Sequence, residues 1–108
     1  MRRLPGLLLM GLLLPLLPVA AEQAPPGPER VSAPLLLDAG GCRGCHRIGG
    51  HGGTLGPDLA GVGQRLSRER LRRQLLAPRQ LDPTSAMPAY DHLSAAEIEL
   101  LLDYLARL

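Results

Sequence analysis

The clearest hydrophobic pattern lies at the C-terminal end of the chain. Ile98, Leu101, Leu102 and Leu105 recur at i, i+3, i+4 and i+7, the spacing of one helix face. Ser94-Ala95-Ala96-Glu97 precedes them as a capping box. Leu100 and Tyr104, four apart, form a second apolar stripe, so this helix is expected to touch two things. A second helix is predicted from the Ser67 cap to about Ala77, with Leu71, Leu75 and Leu76 on one face and arginines over much of the other. Ser32-Ala33-Pro34 predicts a short first helix, continued by Leu35 to Ala39 and stopped by Gly40-Gly41.

Between these elements the periodicity disappears. Residues 47 to 64, with Gly49-Gly50-His51-Gly52-Gly53, read as loop. Pro78, Pro83 and Pro88 punctuate the stretch between the second and last helices. No segment reads as a strand, so the expected fold class is all-α.

The start of the chain follows a different pattern. Arg2 and Arg3 precede a leucine-dominated run from Leu4 to Leu17, broken by Pro15 and closed by Pro18 and the small residues Val19-Ala20-Ala21. That is the layout of a secretory signal peptide, residues 1–21. An uncleaved membrane anchor is the competing reading, since Leu4 to Ala21 is just long enough to span a bilayer. Residues 22–34, with four prolines, read as an extended tether. A cut near Ala21 leaves 87 of the 108 residues, one small domain with a marginal core. The expected location follows from export: periplasmic, or membrane-anchored and facing the periplasm.

Composition sharpens this picture. The chain has no Phe and no Trp, and its only aromatics are Tyr90 and Tyr104. A core so poor in large apolar side chains is what a domain built around a flat apolar cofactor tolerates. Beyond the leader, ten arginines face ten acids. Arg65, Arg68, Arg70, Arg72, Arg73 and Arg79 cluster in residues 65–79, while residues 82–103 hold five acids and no Arg or Lys. These read as solvated helix faces or as a dipole that orients the protein on a partner. Neutrality, export and the missing stacking aromatics disfavour nucleic-acid binding.

The chemistry is concentrated in Cys42-Arg43-Gly44-Cys45-His46. This is the pattern of covalent haem attachment: each thiol S–H adds across a porphyrin vinyl group, and the following histidine ligates iron. Two intervening residues carry the chain through about one helical turn, so both sulfurs face one edge of the macrocycle. A Cys-x-x-Cys pair also occurs in redox-thiol and zinc sites. The first expects a strand before the pair within a βαβ unit. The second expects another ligand pair, and only His51 and His92 remain.

A six-coordinate iron needs a second axial ligand. Met1 and Met10 belong to the leader, which leaves Met87, forty-one residues after His46, in Ser85-Ala86-Met87-Pro88 between two helices. Pro88 restricts Met87 to extended backbone. His51 is a poor rival, five residues from His46 on the near side, and His92 is closer to the right place but lies next to Asp91 at a helix entrance.

Together these residues resemble the small Met/His-ligated monohaem c-type cytochromes of class I. The resemblance runs from about Ala33 to Leu108 through Cys42–His46, Gly56-Pro57-Asp58-Leu59, Met87-Pro88-Ala89-Tyr90, Leu93-Ser94, Glu97-Ile98 and Tyr104-Leu105. It implies three to four short helices wrapped around one haem c in a domain of residues 35–108. It implies that the Pro57 carbonyl accepts from the ring N–H of His46, and that Tyr104 packs where the terminal helices cross, near Ala33 and Leu37. No tryptophan is present to hold a haem propionate; Arg65 and Arg79 are the candidates. The implied activity is single-electron transfer between redox proteins that dock transiently at a small patch near Cys42, Cys45 and Met87, with Arg43 and Arg47 beside it. A haem subunit of a membrane or periplasmic oxidoreductase is the alternative. A haem peroxidase would need an open sixth site and a distal acid–base residue, for which His92 is the nearest candidate. Membrane contact is expected only if the N-terminal segment stays uncleaved.

Overall fold

A computed structural model describes residues 31–108, together with Gly6, Gly11 and Pro15. The expected signal peptide, its expected cleavage near Ala21 and the expected tether fall almost entirely outside the described residues. Among the described residues no helix is long and apolar enough to cross a membrane.

Among the described residues the regular structure is mostly helical. Its elements are α1 (Ala33–Ala39), α2 (Cys42–Cys45), β1 (Arg47–Ile48), β2 (His51–Gly52), α3 (Val62–Arg65), α4 (Arg68–Leu76), α5 (Pro78–Leu81) and α6 (Ala95–Leu105). The three longer helices start where their caps predict. The Ser32 hydroxyl accepts from Leu35 N at 3.5 Å, the Ser67 hydroxyl from Arg70 N at 3.1 Å. At α6 the box closes reciprocally, Glu97 N on Ser94 Oγ at 3.2 Å and Ser94 N on Glu97 Oε1 at 3.0 Å. These bonds hold the Glu97 carboxyl below the usual carboxylate range.

Helix α6 lies against both α1 and α4. Its predicted stripe is the centre of the core: Ile98, Leu101, Leu102 and Leu105 are buried, Leu102 completely. Leu36 and Leu37 of α1, Leu71 and Leu75 of α4, Val62, Ile48 and Tyr90 complete the cluster. Each fully buried leucine contributes about 1.5–3 kcal/mol relative to exposure.

Three sequence expectations require correction. The first is the all-α class. Residues 47–52 form a two-stranded antiparallel ribbon, Arg47 opposite Gly52 and Ile48 opposite His51. The two-residue connection Gly49-Gly50 takes φ of 61° and 80°. Glycine adopts positive φ at both positions without strain, and that geometry matches strand twist. A Gly-Gly pair between an Ile and a His is therefore a hairpin signal, not merely loop. The second is the helix count. One-turn helices α3 and α5 appear where loop and punctuation were expected; Pro78 opens α5, its fixed φ suiting a first helical position. The third is the second stripe of α6. Leu100 is exposed, and Tyr104 packs only partly against the core.

The charge segregation also resolves. Arg68 pairs with Glu99 and, at 2.8 Å, with Asp103. Arg72 pairs with the same Glu99 and, at 3.7 Å, with Glu69. Much of the arginine-rich face of α4 is thus neutralised by α6, and the Arg68 guanidinium holds the Glu99 carboxyl below its ordinary value.

Candidate functional site

Between α1, α4, α6 and the loops lies a mostly apolar cavity of about 650 Å³. Cys42, Cys45, His46 and Met87 all line it. So do Leu101 and Leu105, which means the core stripe of α6 also forms the cavity wall. The volume falls in the range of ligand-binding pockets, about 300–1,000 Å³.

The cysteines sit at the two ends of the single turn α2. Cys42 is half-buried and Cys45 exposed, and they are not joined by a disulfide. Burial raises the Cys42 thiol pKa. Immediately after the turn, His46 takes an extended conformation. Its ring Nδ1 lies 2.7 Å from the Pro57 carbonyl oxygen. A carbonyl can only accept, so Nδ1 carries the proton and Nε2 presents its lone pair. A histidine so held is oriented and made more basic toward a metal. The ring is set by close packing as well. A Cβ at Gly56 would stand 2.4 Å from His46 Cε1, so only glycine fits there. The loop is pinned beneath the turn by Gly53 N on Arg43 O and Gly56 N on Cys45 O, both 2.8 Å.

Met87 reaches the cavity from the segment between α5 and α6. Its amide donates to Ser85 Oγ at 3.2 Å. Three residues on, Tyr90 N donates to Leu75 O at 2.8 Å, tying this segment to α4. The buried Tyr90 ring carries its hydroxyl to the Gly40 carbonyl at 2.7 Å, bridging to the α1–α2 junction. Burial first, and the Cys42 thiol second, push the Tyr90 pKa up to about 12.

Two contributors were missed by sequence reasoning. In the sequence Tyr90 stands out as one of two aromatics and as the end of Met87-Pro88-Ala89-Tyr90, with no role of its own. Gln74, on α4, was not considered; its side-chain amide donates to Met87 Sδ at 3.4 Å and lines the cavity. A polar residue one before a core leucine was the available signal.

Other candidates lie elsewhere. His51 and His92 are exposed and line no part of the cavity; His92 rests near the Tyr90 ring, centroids 6.1 Å apart. Arg65 and Arg79 do not line it either. Arg65 donates to the Ala60 and Asp58 carbonyls, and Arg79 to Ser85 O at 3.4 Å. Arg43 donates to Ile48 O at 3.0 Å and Arg47 to Gly50 O at 2.7 Å, so both brace the ribbon. Among the described residues no three His, Cys, Asp or Glu side chains converge as a metal site. Among the described residues both strands follow the cysteine pair, unlike the strand-first βαβ unit a redox-thiol site expects.

The fit to haem rests on the donor set. Two thiols one turn apart, an imidazole with a free Nε2 and a thioether open into one apolar cavity large enough for a bulky flat ligand. The comparisons agree. Residues 36–105 match the family described as cytochrome c oxidase, cbb3-type, subunit III. The chain is also 31% identical over 81 residues to cytochrome c oxidase subunit 2 of Alkalihalophilus pseudofirmus, an alignment covering 68% of this chain and 24% of that protein. The chain therefore belongs to the cbb3-type cytochrome c oxidase subunit III family: it is a c-type cytochrome, an electron-transfer protein carrying covalently bound haem c.

Proposed function

We propose that the chain is an exported monohaem cytochrome that passes single electrons between redox proteins. Cys42 and Cys45 hold the haem by thioether bonds, and His46 and Met87 are its axial ligands. The observation that carries this reading is the convergence of all four side chains on one apolar cavity. Haem supplies a one-electron iron couple when bound. The chain's residues do the rest. His46, held by Pro57, presents Nε2 in a fixed direction. Met87 offers a soft sulfur, which favours ferrous iron and raises the potential. Leucines exclude water from the interior, and with both axial positions filled by protein no substrate reaches the metal. The exposed Cys45 marks the edge through which electrons leave, and partners dock there weakly, since turnover requires fast release.

A second reading is a haem subunit held within a larger oxidase complex. The family match favours it, as does the similarity to one part of a much longer oxidase subunit. Purification of the native protein distinguishes the two: a carrier elutes alone, a subunit with its complex. Axial ligation is tested by substitution. Met87→Ala should abolish the far-red sulfur-to-iron charge-transfer band, admit cyanide and lower the potential, while His92→Ala should leave all three unchanged. Loss of the band in His92→Ala but not in Met87→Ala overturns the assignment.

A further inference from the structure

Met87 is held through its backbone by neighbours in its own segment, but its sulfur is held by another element. Gln74 Nε2 donates to Met87 Sδ at 3.4 Å, a normal separation for a large, weakly accepting sulfur. Gln74 is well placed to fix the sulfur because α4 itself is fixed. Leu71 and Leu75 lie on either side of it in sequence, both buried in the core. On its other flank the helix is clamped to α6 through Arg68 and Arg72. Three residues beyond Met87 the segment is tied to α4 again: Tyr90 N donates to Leu75 O at 2.8 Å. Adjacent residues of one rigid helix therefore grip the methionine segment twice, once at the backbone and once at the sulfur.

We propose that Gln74 is the positioning residue for the Met87 thioether. This rests on Met87 being an axial ligand. A thioether sulfur has two lone pairs. With one occupied by the Gln74 amide, the other is left for iron, and the side chain is held on the cavity side before iron binds. The amide is neutral, so the device does not depend on pH. It also draws density from the sulfur, which lowers the energy of the orbital that donates to ferric iron.

The test uses the full haem-loaded protein with imidazole as the displacing ligand. Gln74→Leu removes the donor and keeps the bulk; Gln74→Glu keeps the shape, and its ionised carboxylate cannot donate. Both should let imidazole displace Met87 about five- to tenfold more readily, the weight of one net hydrogen bond. Both should move the far-red charge-transfer band to longer wavelength, because the freed sulfur is a better donor. Gln80→Leu, on the exposed face of α5, should change neither. A band that stays in place, with imidazole affinity within twofold of the parent in either variant that folds, overturns the proposal. Absence of the band in the unmodified protein instead refutes Met87 ligation, so the two failures are distinguishable.

Discussion

Gly56→Ala adds one carbon, and the structure assigns it a specific consequence. The new Cβ would stand 2.4 Å from Cε1, 2.7 Å from Nδ1 and 3.0 Å from Nε2 of His46, whereas ordinary contact begins at 3.4 Å. The imidazole must retreat by about 1 Å, and it is not the free end of a flexible chain. It is held between the α2 turn and its 2.7 Å bond to the Pro57 carbonyl. That bond is lost or badly stretched, at about 1 kcal/mol, and overpacking adds about 1–3 kcal/mol. The sum, about 2–4 kcal/mol, corresponds to a fall in Tm of about 10–25 °C for a domain of this size. The assay is thermal unfolding of the haem-loaded protein, paired with a redox titration. Loosening the Nδ1–H bond makes the ring a poorer donor to ferric iron, so the potential should rise. Gly44→Ala is the control. Nothing lies within 4 Å of a Cβ there, and alanine in a helical turn is neutral to mildly stabilising. A Gly56→Ala protein with unchanged Tm and potential would refute the claim that packing on this glycine orients His46.

Tyr90→Phe deletes the hydroxyl that bridges to Gly40 O at 2.7 Å and should cost about 1–3 kcal/mol in denaturant unfolding, because the carbonyl is left without that donor. The Glu99 carboxyl is held below its ordinary value of 4.5 in the folded protein, so its contribution is complete above that pH and is lost as pH falls through the lowered folded value. Stability measured downward from pH 5 should accordingly decline, and Glu99→Gln should make the decline shallower; an identical slope would show that the Arg68 and Arg72 pairs carry no net stability. The same exposed pairs should weaken in high salt, so the stability difference between Glu99→Gln and the parent should shrink there.

Sequence and structure agree best where a local rule acts alone. The three capped helices and the α6 core stripe follow from short-range patterns that tertiary packing reinforces. The His46–Pro57 bond was expected only through family resemblance, since nothing in the spacing of the two residues requires it. The ribbon at 47–52 was missed because four residues carry no alternation; its signal was the Gly49-Gly50 turn. The division of α6 into two stripes failed for a physical reason: Leu101 and Leu105 serve the core and the cavity wall at once, which leaves Leu100 to solvent. The arginine cluster was visible, but its pairing with Glu99 and Asp103 depended on how α4 and α6 meet. Gln74 carries only a faint signal for the same reason, because its contact is with a methionine thirteen residues away in another segment.

Everything assigned to the cavity requires a covalent bond between this chain and haem. Acid–acetone extraction followed by intact-mass measurement tests it most directly, on the parent protein and on the Cys42→Ala, Cys45→Ala double variant. The parent should keep its colour in the protein pellet, with a mass exceeding the processed polypeptide by one haem. The double variant should release all of its haem to the solvent. Haem extracted freely from the parent, or a mass equal to the polypeptide alone, would contradict the account at its base.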